Sequence, residues 1–169
     1  VSAGRAHSLA VTADGSVWSW GHGAFGQLGH GDDQNQPLPT KVEALAGQRV
    51  VAIAAAWQHS LALTADGSVW SCGFGGGGKL GHGGEQHQLL PKKVEALGGQ
   101  RVVAVSAGGS HSFALTADGA LWSWGFGGRG RLGHGDQQNQ QQPKKIEALV
   151  DQRVVAVSAA AGHSLALTA

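Results

Sequence analysis

Nine histidines are the first residues here that could do chemistry. Four of them open the same short string. His7, His59, His111 and His163 are each followed by Ser, then by Leu or Phe, Ala and a hydrophobic residue. An Asp-Gly pair follows the first three, at Asp14, Asp66 and Asp118. On paper Ser60, His59 and Asp66 make a hydrolytic triad. Every copy would then hold one, which points to architecture instead. A metal site needs convergent ligands, yet there is no C-x-x-C and no H-x-x-x-H. Equivalent histidines on successive copies stand too far apart to share an ion. We expect the HS histidines to hydrogen-bond backbone inside their own units. Cys72 is the single cysteine, so an internal disulfide is excluded.

The third chemical signal is G-x-G-x-x-G, at Gly21 to Gly26, Gly73 to Gly78 and Gly125 to Gly130. A strand pattern precedes each copy, as a dinucleotide fingerprint requires. No helix pattern follows; L-G-H-G and a polar, Gln-rich stretch come instead. Without a helix N-terminus there is no cradle for phosphate. The glycines are read as turn formers, and no cofactor or metal is expected.

The elements that carry these residues repeat with a period of 52 residues. His7, His59, His111 and His163 keep this step, as do Trp18, Trp70 and Trp122, and Pro39, Pro91 and Pro143. Residues 1–52 and 53–104 agree at 35 of 52 positions, so one unit has been copied with little change. The repeats run 1–52, 53–104 and 105–156, with a partial copy at 157–169, all in one segment 1–169. Inside a copy the code is β. Ser60 to Thr64 alternates larger apolar side chains, the period-two signal of a strand. Asp66-Gly67 suits a tight type I′ turn. Val69 to Cys72 returns as a second strand, and Arg101 to Val105 is rich in β-branched residues. A weaker strand around Pro91 to Val94 is placed at an edge by its proline. The E-A-L stretches at Glu43, Glu95 and Glu147 have room for one helical turn each. Four short strands in about 50 residues, repeated, predict the blades of a β-propeller. Trp18 with Trp20, and Trp122 with Trp124, share a strand face, while Trp70 has Cys72 as companion. Each buried indole covers about 150–250 Å² and is expected to join neighbouring blades.

Composition narrows the function. Formal charge is +1, from 12 basic and 11 acidic residues, with no charge block. Nucleic acid is therefore not an expected partner, and no apolar run is long enough for a membrane helix. The absence of Met suggests a segment of a longer protein. An intracellular place, cytoplasmic or nuclear, is the expectation.

The run V-x-A-G-x-x-H-S-L-A-L-T-x-D-G-x-V-W-x-W-G-x-G-x-x-G-Q-L-G-H-G-D, then P-x-x-V-E-A-L, resembles the repeat of the regulator of chromosome condensation. The resemblance covers the whole chain and implies a seven-bladed propeller, of which this all-β segment would be part. Three and a quarter blades do not close a ring. The remaining blades are expected elsewhere in a host protein such as a ubiquitin ligase, with self-association of copies as the alternative. The family includes exchange factors for the small GTPase Ran, which use an acidic residue just before a repeat His. Here those positions hold Ala6, Gln58, Ser110 and Gly162. Plant UV-B sensors cluster tryptophans two residues before that His; here Arg5, Trp57, Gly109 and Ala161 stand there. The expectation is a non-catalytic protein-interaction scaffold, with guanine-nucleotide exchange on a small GTPase, or a designed or self-associating propeller fragment, as the alternatives. Specificity should lie where the copies differ. The candidates are Arg5, Trp57, Gln58, Phe74, Lys79, Phe126, Arg129 and Arg131.

Overall fold

The computed structural model describes all residues from Val1 to Ala169. Fourteen strands form three four-stranded antiparallel sheets and one two-stranded sheet. The first sheet holds β1 (Ser2–Ala3), β2 (His7–Val11), β3 (Val17–Gly21) and β4 (Gln36–Lys41). The second holds β5 (Val50–Ala55), β6 (His59–Thr64), β7 (Val69–Gly73) and β8 (Gln88–Lys93). The third holds β9 (Val102–Ala107), β10 (His111–Thr116), β11 (Leu121–Gly125) and β12 (Gln140–Lys145). β13 (Val154–Ala159) and β14 (Ser164–Thr168) make the last. Each full sheet is a meander in chain order, so every sheet is a blade. The first strands of successive blades, β1, β5, β9 and β13, lie side by side and are nearest the axis.

In the second and third blades the second strand is the most enclosed. All six residues of β6 and of β10 are buried. Alternation therefore reports two buried faces, one against each neighbouring blade. The edge strands carry the prolines, Pro39, Pro91 and Pro143, where a missing N–H costs no ladder bond. The E-A-L stretches are single 3-10 turns that bury Leu45 and Leu97.

The turn between second and third strands is not type I′. Only the glycine has positive φ, +85° at Gly67, and Asp66 does not. Gly67 N–H donates to the Thr64 carbonyl, and Thr64 N–H donates to the Ser68 carbonyl. This is a three-residue loop, a type I turn closed by a left-handed glycine. Asp66 accepts bonds from Thr64 Oγ1, Ser68 N–H and Ser68 Oγ, which hold the turn without left-handed aspartate.

The indoles do join blades, unevenly. Trp124 is fully buried at the second junction, among Leu61, Leu63, Val69, Val94 and Leu97 of the preceding blade. A Cβ on Gly81 would come within 2.9 Å of its Nε1, so glycine makes the seat for the ring. At the first junction Cys72 stands in that place and leaves a cavity of about 20 Å³, lined by Leu9, Val17, Val42, Leu45, Ile53 and Cys72 among others. Pro91 closes on Gly29 there instead.

The HS histidines correct the expectation. They bond serine hydroxyls of the next blade, not backbone of their own. His7 Nε2 lies 2.8 Å from Ser60 Oγ, His59 Nε2 2.9 Å from Ser112 Oγ, and His111 Nε2 2.9 Å from Ser164 Oγ. Each hydroxyl then donates back to a carbonyl of the preceding blade: Ser60 to Gln27, Ser112 to Lys79, Ser164 to Arg131. A hydroxyl has one proton. Since it goes to the carbonyl, the ring must donate, which fixes the Nε2–H tautomer. The second histidine series acts inside a blade: His30, His82 and His134 donate to Ser19, Ser71 and Ser123.

Candidate partner-binding face

Strand direction decides where the variable residues go. In each blade the second strand starts, and the third ends, at one end of the sheet; His59 pairs with Gly73, for example. The short turn before the second strand and the glycine loop after the third therefore share one face of the blade array. A backbone bond ties them in every copy: His22 N–H to Ala6, Phe74 N–H to Gln58, Phe126 N–H to Ser110. The Asp-Gly turns lie at the opposite end. All eight candidates, Arg5, Trp57, Gln58, Phe74, Lys79, Phe126, Arg129 and Arg131, are on the first face.

They form two groups. In the turns, the Arg5 guanidinium carbon lies 5.5 Å from the centroid of the Trp57 ring. The ring also packs on Gly109, where a Cβ would approach to 3.1 Å. Arginine, indole and glycine from three successive blades thus make one stack. Trp57 is still 43% exposed. The stack floors a cleft walled by alanine and glycine, including Ala56, Gly108 and Ala160. Gln58 is half-buried, and its carbonyl is spent on the Phe74 amide.

In the glycine loops, two variable positions turn out to be partners. Gln27 donates to His22 Nδ1 at 2.9 Å, Lys79 Nζ lies 4.5 Å from the Phe74 centroid, and the Arg131 guanidinium lies 4.9 Å from the Phe126 centroid. A polar or cationic chain caps a ring in each copy, the attraction being cation–π in the last two. Lys79 is buried, only 3% exposed, and burial pushes its ammonium down to about 8. Arg131 is half-buried and donates through Nε to the Gly128 carbonyl and through a terminal nitrogen to Ala161 of the next blade. Phe126 is 42% exposed and Arg129 is exposed. Arg129 is the one non-glycine residue with positive φ, +65°, where Gly77 stands in the previous copy.

Two neighbours were not among the candidates. Phe25 packs edge-on to Phe74 at 5.3 Å, and His87 lies 4.5 Å from Phe74. Aligning the copies gives the signal: Phe25 replaces Gly77 and Arg129. His87 replaces Asn35 and Asn139 and does their work, accepting the Gly75 amide at Nδ1 as they accept Gly23 and Gly127. The paper triad does not assemble. Ser60 belongs to His7, and Asp66 is bonded within its turn at the far end of β6. No three His, Cys, Asp or Glu side chains come together as a ligand set. The G-x-G-x-x-G glycines form a 3-10 turn at Gly76–Gly78, and no helix follows.

A family model described as RCC1-like domain matches residues 1–166. The chain belongs to the RCC1-like domain family. It is 43% identical over 99% of its length to human E3 ubiquitin-protein ligase HERC2, of which it spans 4%. It is 37% identical over 99% of its length to the ultraviolet-B receptor UVR8 of Arabidopsis thaliana, spanning 38% of that protein. Among solved structures, Prp20p of Saccharomyces cerevisiae superposes with a TM-score of 0.89 at 28% identity, over 98% of this chain and 42% of that one. Prp20p is described by its binding to Gsp1p and histones. The RCC1-like chain is thus a run of propeller blades covering less than half of each of these relatives. No helix in it is long and apolar enough to cross a membrane.

Proposed function

We propose that this RCC1-like chain is a non-catalytic protein–protein interaction scaffold, part of a larger propeller in an intracellular host such as a ubiquitin ligase. One observation carries the reading. Three copies keep one framework, and their variable side chains gather on a single face with two large rings, Trp57 and Phe126, more than 40% exposed. Exposed aromatic and arginine side chains are the usual anchors of an interface. The framework histidines and serines are meanwhile consumed in joints between blades. Exchange activity on a Ran-type GTPase is the alternative, favoured by the likeness to Prp20p. Against it, the turn positions before the repeat histidines carry no acid here.

The test is photo-crosslinking. Photoreactive residues go in at positions 57, 126 and 131, and for comparison at 65 and 117, on the opposite hairpin tips. The scaffold reading expects a defined protein adduct from the first set only. Adducts from the second set alone sink it, as does faster nucleotide release from a Ran-type GTPase when the chain is added.

A further inference from the structure

The joint between blades is built identically three times. His7, His59 and His111 are 3% exposed or less, and each passes its Nε2 proton toward the serine of the next blade. Nδ1 of each is buried and has no hydrogen-bond partner. It faces the tight turn of its own blade: a Cβ on Gly4 would stand 2.9 Å from His7 Nδ1, and one on Gly108 2.8 Å from His111 Nδ1. A second proton can enter only at Nδ1, where no acceptor stands within hydrogen-bond distance.

The charged and titratable groups around the rings sharpen this. His22 faces His7. Lys79, His7 and His111 face His59. Arg131 and His163 face His111. All are basic, so a protonated ring gains no counter-ion at any junction. Burial is the larger cause, and together these push His7 and His111 down to about 4 and His59 well below its ordinary value.

We propose that the blade junctions are acid-operated latches: protonation of His7, His59 and His111 at Nδ1 parts neighbouring blades while each blade stays folded. The two kinds of contact have different makers. Within a blade, the strands are held by backbone N–H···O=C ladders whose bonds do not titrate, while His30, His82 and His134 tie the glycine loop to the third strand. Between blades, the His–Ser–carbonyl relay is the repeated link that titrates, alongside backbone bonds such as Gly31 N–H to Leu89 and Gly83 N–H to Gln141, and it lies beside the turns that carry Arg5, Trp57 and Gly109. Mild acid therefore loosens the axial part of the candidate face first.

Hydrogen exchange on the 169-residue chain, corrected for the intrinsic pH dependence of amides, tests this. The junction reporters are Arg5 N–H, bonded to the Ala56 carbonyl, and Gly109 N–H, bonded to Ala160. The blade reporters are amides of the β6–β7 and β10–β11 ladders. As pH falls below about 6.5, junction protection should drop by about tenfold per pH unit for each histidine that takes up a proton, while ladder protection holds. His7→Gln, His59→Gln and His111→Gln together keep an N–H donor and should abolish the pH dependence. In case that variant folds poorly, ¹⁵N NMR of the wild-type rings gives a second reading: Nδ1 should stay a bare acceptor at pH 6. Junction and ladder amides losing protection together, junction protection indifferent to pH, or rings protonated at pH 6 would each overturn the proposal.

Discussion

Ser112 shows how much a single hydroxyl carries. It accepts from His59 and donates to Lys79 O, with no solvent access. Ser112→Ala strands a buried N–H and a buried carbonyl at once. The expected cost is about 1–3 kcal/mol for each group left unpaired, read from the urea unfolding midpoint; a change within error would show that the relay adds nothing. Arg129 makes the opposite case. A left-handed non-glycine residue costs roughly 1–2 kcal/mol, and nothing in the loop except the Gln137 bond to its amide offsets that. Arg129→Gly should raise the melting temperature and weaken capture of the partner crosslinked from this face. If stability falls, the strain argument is wrong. Sequence alone pointed to the HS pairs but not to their partners. The signal was present: each His finds a Ser 53 residues on, one repeat plus one, because the pair in one copy is split between two joints.

At the level of the element, junction packing departs from the repeat. Trp124 and Cys72 hold equivalent positions, yet exchanging them is not symmetric. Trp124→Cys empties a filled seat and should cost about 3–5 kcal/mol. Cys72→Trp does not return the gain. The space left at the first junction is only about 20 Å³, because Pro91 has closed on Gly29. Forcing an indole there should also destabilise, by about 1–3 kcal/mol. Thermal unfolding of both variants decides this; a more stable Cys72→Trp chain would mean the junction reopens freely. Strand positions, edge prolines and the E-A-L turns were legible because each is a local pattern. The type I′ assignment failed because Asp-Gly suits two turn types. The bonds common to all three copies, from the threonine hydroxyl and from the amide two residues after the aspartate, favour the observed turn and depend on residues outside the dipeptide.

For the molecule as a whole, stability should depend on pH through its histidines. Their folded pKa is depressed below the unfolded value of about 6.5, so the unfolded chain binds more protons between there and about 4. Their contribution is complete above 6.5 and is lost as pH falls through that window. The turn aspartates add nothing there. Thr12 and Ser16 bonds hold Asp14 down to about 2, and the same kind of bond lowers Asp66 and Asp118. Their share is present above the ordinary carboxylate range and leaves only in stronger acid. A urea midpoint that is flat from pH 7 to 5 and falls only below 4 would assign acid sensitivity to carboxylates instead. The propeller architecture was readable from periodicity, since a repeat of 52 residues with four strand patterns fits few folds. The paired variable positions of the glycine loops were not, because ring and cation meet through the loop's path.

Each unit presents its serine on one flank and its imidazole on the other. A duplicated copy therefore arrives with both halves of the fastening already matched to any neighbour. Such a chain can lengthen by gene copying without inventing new contacts, and its exposed tips are free to diverge one blade at a time.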